Sequence, residues 1–146
     1  MVNDLVKLII NHLIIKMILI SIKNRSDFLQ LSKSTLRFHS KTSLVLAGKA
    51  PEKYLVNPRT NKNDDFCRFG LTVSKKIGNA VVRNKTKRRF RDIFSKLHQE
   101  NFTQNGFDYV VIAKKEITGA AFLKIYDDLK FCLKHIKRIN QENASK

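Results

Sequence analysis

The sequence predicts a single α+β domain, a two-layer sandwich in which helices pack on a small mixed sheet. Three observations carry that expectation. The 146 residues suffice for one core and hardly for two. Apolar residues recur with a period of two in some stretches and of 3.6 in others, in the order α-β-(β)-β-α-β-α. The composition, 42 % hydrophobic and 28 % charged, is that of a globular chain and excludes a disordered one.

The elements follow in order. Residues 1–22 are an apolar extension, in which "LVKLIINHLIIKMILISI" (5–22) invites a membrane or signal reading. Lys7, His12 and Lys16 interrupt it before it reaches bilayer length, and no small-residue cleavage site follows. It is expected to be absent from the working protein, with Met17 as the natural start, or disordered, or a peripheral amphipathic helix. The main domain is expected over 23–137. Its first helix is "RSDFLQLSK", with Ser26 or Asp27 as cap and Phe28 and Leu31 on one face. A strand fits 40–48. The segment 48–65 holds both prolines and reads as a long connection, with a hairpin through "YLV".

"FCRFGLTVSKK" (66–76) alternates: Cys67, Phe69, Leu71 and Val73 face a core, and Arg68, Gly70, Thr72 and Ser74 face away. Gly78 and Asn79 end the strand, and Asn79 is placed to cap the next helix. That helix, from Ala80 to about Gln99, carries a core stripe of Val82, Thr86, Phe90, Ile93, Phe94 and Leu97. The run 105–115 begins with a turn and becomes a continuous apolar strand, as a central buried strand would. The last helix is expected from Thr118 to about Lys137 with Phe122, Ile125, Tyr126, Leu129, Leu133 and Ile136 inward, before a frayed polar tail at 138–146.

Charge narrows the function. Twenty-nine Lys and Arg against twelve acids leave a net +17, which calls for a polyanionic partner. Between Phe66 and Arg91 there are nine basic residues and no acid. Arg83, Lys87 and Arg91 form an i, i+4, i+8 row with Asn84 and Arg88 beside it. Cations near a helix N-terminus cost roughly 0.3–1 kcal/mol each, and like charges at i, i+4 add about 0.2–0.5 kcal/mol per pair. A phosphate ligand reverses both costs. Lys75 and Lys76 lie just ahead in sequence.

Catalytic constellations are missing. No P-loop, GxSxG or Cys/His dyad occurs, and no acid pair stands beside the basic run to hold metal ions for phosphodiester cleavage. Cys67 and Cys132 lack metal-site spacing and read as free thiols in a reducing cytosol. The chain reads as a binder.

"FGLTVSKKIGNAVVRNKTKRRFR" (69–91) closely resembles the signature of the protein subunit of bacterial ribonuclease P. Arg83, Asn84, Lys87, Arg88 and Arg91 meet its basic-helix pattern, preceded by Lys75, Lys76, Gly78 and Ala80. The similarity extends over about 23–137. It implies an α-β-β-β-α-β-α fold with a left-handed crossover, shared with a domain of small-subunit ribosomal proteins. It further implies a catalytic RNA partner, precursor tRNA as substrate, removal of the 5′ leader with Mg²⁺ held mainly by the RNA, and a cytoplasmic setting without stable membrane association. Phe28 matches an aromatic of the family's leader cleft, between the first helix and the sheet, where Arg68, Thr72 and Ser74 are also expected. Ser32 stands where a second aromatic often occurs, and strand 40–48 offers only Ser43 and Leu46. A basic ribosomal protein of similar fold is the alternative reading.

Overall fold

The structure, a computed structural model, describes residues 4–5, 18–34, 36–54 and 66–144. Its elements are β1 (Ile18–Ser21), α1 (Arg25–Ser32), β2 (Leu36–His39), β3 (Ser43–Lys49), β4 (Phe66–Thr72), α2 (Ala80–Gln99), β5 (Phe107–Ala113) and α3 (Phe122–Ala144). The strands form one sheet in the order β1-β4-β5-β3-β2. β4 is parallel to both β1 and β5, and the β5–β3 and β3–β2 pairs are antiparallel.

Side-chain alternation divides the sheet into two unlike faces. On the first, Val45, Ala47, Cys67, Phe69, Tyr109 and Val111 meet the buried stripes of α2 and α3. On the second, α1 is the helix that supplies cover among the described residues, and the buried cluster there is Ile22, Leu31, Leu46 and Val110. The α2 stripe is as expected: Thr86, Phe90, Ile93, Phe94 and Leu97 are buried and Val82 packs against them. Asn79 caps the helix, its side chain accepting from the Val82 amide at 3.0 Å.

Other boundaries differ for physical reasons. β1 lies inside the stretch expected as an extension. It adds an edge strand because its residues pair in register with β4 from Ile18↔Phe66 to Ser21↔Phe69. The hairpin is Leu36–His39 with Ser43–Lys49, earlier than expected. Its turn is held by Asp128, which accepts from the Thr42 amide at 3.1 Å and hydroxyl at 2.6 Å. Tyr54 belongs to a 3-10 turn, Glu52–Tyr54, and the remainder of the expected "YLV" strand lies outside the described residues. The last helix starts at Phe122, because Lys115–Ile117 forms a 3-10 turn and Gly119 follows at φ 80°. It runs on to Ala144 through the segment expected to fray. Phe122, expected inward, is 44 % exposed, and Cys132, absent from the expected stripe, is buried.

Candidate nucleic-acid interface

Strand register arranges the second face in three rows. The first joins Gly48, Asp108 and Arg68. The second joins Arg37, Leu46, Val110 and Gly70. The third joins His39, Leu44, Ile112 and Thr72. α1 covers parts of the first two rows: Leu31 lies 3.2 Å from where a Cβ of Gly48 would stand, and Phe28 sits on Gly70. A Cβ on Gly70 would fall 2.5 Å from Phe28 Cζ, so only bare backbone admits the ring. The third row stays partly open. Thr72 and His39 are exposed and Leu44 and Ile112 half-buried, a shallow floor beside the Phe28 ring.

From Thr72 the chain leads through exposed Ser74, Lys75 and Lys76 into α2. There Asn84, Arg88 and Arg91 are exposed, and Arg83 and Lys87 half-buried. Among the described residues, none of Lys75, Lys76, Arg83, Lys87, Arg88 and Arg91 enters an ion pair. The Nε of Arg83 is buried without a hydrogen-bond partner. Leaving such a donor unmet costs on the order of 1–3 kcal/mol. Arg89, on the other flank of the stripe, is engaged: its guanidinium donates to the Ala120 carbonyl at 2.7 Å and ties α2 to the approach of α3. Gly78 keeps the turn into α2 tight, since a Cβ there would stand 2.9 Å from Val82 Cγ1.

Arg68 departs from its expected place. It points to the predicted face but is buried under α1 and does not line the open floor. Its Nε and Nη2 donate to the two carboxylate oxygens of Asp108 at 2.7 and 2.5 Å, and Nη1 meets Asp27 Oδ2 at 3.1 Å. The Tyr54 ring lies over the guanidinium, 3.8 Å from its centroid. Burial pulls the Arg68 pKa down, but the hydrogen bonds and charges of the two carboxylates outweigh it and leave the pKa raised, so the side chain stays charged. Asp108 is shifted up, because burial outweighs the pull of Arg68. Asp27 is therefore an ion-pair partner and not a helix cap; Asn24 takes the cap position without a side-chain bond. Ser43, considered for the cleft, is buried and hydrogen-bonds Ser40.

The structure thus places Phe28 and Thr72 on this face of the sheet and the basic row on α2, as the sequence pattern has them, while the pattern gave no place here to Asp27, Asp108, Tyr54, Arg37 and His39. Asp27 and Asp108 carried a usable signal. An acid on the inner face of a helix, and another inside "FDYVVIA", each need a buried cation.

Comparison with known proteins agrees with this architecture. The ribonuclease P family profile matches residues 19–137. The ribonuclease P protein component of Paramagnetospirillum magneticum is 30 % identical over 124 residues, covering 85 % of this chain and 87 % of that protein. The component from Staphylococcus aureus strain bovine RF122 is 37 % identical over 94 residues, 64 % of this chain and 78 % of that protein. Among solved structures, the Staphylococcus aureus RNase P protein superposes with a TM-score of 0.62 at 32 % identity, over 80 % of this chain and 94 % of that one. The Thermotoga maritima protein gives 0.62 at 29 % identity, over 79 % and 96 %. With the basic α2 motif inside a matched span that covers most of the five-stranded mixed sheet and its three helices, this chain belongs to the ribonuclease P protein family.

Proposed function

We propose that this chain is the protein component of ribonuclease P, binding a catalytic RNA and the 5′ leader of precursor tRNA so that the leader is cut away. The observation that supports this most directly is the set of cations on α2 and the turn before it that enter no ion pair among the described residues. Lys75, Lys76, Arg83, Asn84, Lys87, Arg88 and Arg91 contact RNA phosphates in this reading, and the buried Nε of Arg83 finds its acceptor there. Phe28, with the floor of Thr72 and Ser74 beside it, receives the single-stranded leader. A base stacked on such a ring is worth about 1–3 kcal/mol. Arg68 is not among these groups, because both its carboxylate partners already hold it.

Hydrolysis in this reading is carried by the RNA. The interface offers ammonium, guanidinium and amide groups. Among the described residues no three His, Cys, Asp or Glu converge as a metal set. That donor set does not fit a resident divalent cation, so Mg²⁺ is assigned to the RNA. The chain lowers the cost of bringing two polyanions together, and works in the cytoplasm, where its two thiols stay free.

The test is reconstitution. The full chain, added to its RNA subunit, is expected to restore cleavage of precursor tRNA at low Mg²⁺, where the RNA alone is slow. Absence of stimulation, with ribosomal RNA co-purifying instead, would sink the reading in favour of a ribosomal protein.

A further inference from the structure

The Asp27–Arg68–Asp108 cluster lies beside the cleft and not in it. α1 has eight residues, too few to be stable alone, and buries only Asp27 and Leu31. Its place over the sheet therefore depends on tertiary contacts. The apolar ones are non-directional. The ionic one is directional: the guanidinium is fixed to β5 by a bidentate fork on Asp108, and its remaining nitrogen reaches Asp27. Register makes this possible, since Arg68 and Asp108 are direct partners across β4 and β5. Tyr54 closes the top of the cluster, and its hydroxyl accepts from Asn24 Nδ2 at 3.0 Å. The start of α1 is thus tied at two points.

The neighbouring residues form the cleft. Phe28 follows Asp27 on α1, and Gly70 stands two residues beyond Arg68 on the same face of β4. The ring rests on a glycine with no room for a side chain beneath it. A small shift of α1 along the sheet moves that ring off Gly70.

We infer that Asp27–Arg68–Asp108 is a positioning device for the leader cleft: it fixes how α1 sits over the sheet, and so where Phe28 presents its face to a single strand. The inference rests on the cleft being the leader site. Arg68 acts through Phe28 and touches no substrate. Its role is to make the enzyme distinguish precursor tRNA from tRNA without a leader.

The experiment uses holoenzyme reconstituted from the full chain and its RNA, and measures affinity for precursor tRNA relative to the same tRNA lacking its leader. Asp27→Asn leaves the Arg68–Asp108 fork intact and is expected to lower that ratio about fivefold or more, the scale of one base–ring stack. Affinity for the RNA subunit should not change. Phe28→Ala should lower the ratio similarly, and Asp27→Asn with Phe28→Ala should lower it no further than Phe28→Ala alone. A parental ratio in Asp27→Asn, or additive effects in the double variant, overturns the positioning role. Should Asp27→Asn not assemble, Arg68→Lys, which retains the charge and removes the fork, is read by the same two outcomes. A parental enzyme indifferent to the leader overturns the leader reading itself, and the inference with it.

Discussion

On the first face of the sheet, Phe94 stacks on Phe69 at a centroid distance of 4.2 Å and tilts against Tyr109 at 5.7 Å, under two long helices. On the second, one short helix covers part of the surface, held by a buried arginine between two carboxylates, and a row of residues is left open. The first face closes because apolar rings need only each other to fill space. The second cannot close that way without losing its site. Its order comes from directed charge pairs, which define a position while leaving neighbouring surface free. The basic helix joins the two strategies: Phe90, Ile93 and Phe94 secure it to the closed face, while Arg83, Lys87, Arg88 and Arg91 enter no ion pair among the described residues.

The contrast can be broken at several points. Phe94→Ala strikes the closed face, and should cost about 3–5 kcal/mol of stability in a denaturant titration. Its RNA affinity should track only the folded fraction. A cost near zero would mean that the two faces are not so different. Asp128→Asn tests the hairpin that joins them. Burial alone would raise that carboxyl, but hydrogen bonds from Thr42 and Lys124 hold it below its ordinary 3.8. Its contribution is therefore complete above that value and lost as pH falls through the lower folded one. The substitution should cost about 1.5–3 kcal/mol at neutral pH, with parent and variant converging under acid. A gap that is constant with pH would remove the carboxylate from the account. Arg88→Ala and Arg91→Ala should leave thermal stability unchanged or slightly raised. Each should flatten the salt dependence of RNA binding by about 0.7–0.9 unit for every phosphate the variant no longer neutralises. A marked fall in melting temperature would make these side chains structural.

Periodicity alone made α2 legible to its ends, because a core stripe, an Asn cap and a Gly break all agreed. It also separated Phe69 from Gly70 on β4, since alternation assigns faces before any partner is known. It could not place the hairpin. "LRFH" has too few residues to announce a strand, and its turn is fixed by Asp128, far away in sequence. β1 was hidden for a related reason: four residues of an apolar stretch become a strand only when β4 stands beside them.

The crowding of charge on α2, its cap and its anchoring stripe were thus determined by the sequence alone, because each depends on neighbours within a few helical turns. The fate of Arg68 was decided by the tertiary structure. Its local pattern matches that of a solvent-facing cation, and only the meeting of α1, β4 and β5 brings Asp27 and Asp108 to it. Charge is a property of the residue; whether that charge is free to bind or already engaged depends on contacts that span 41 positions of the chain.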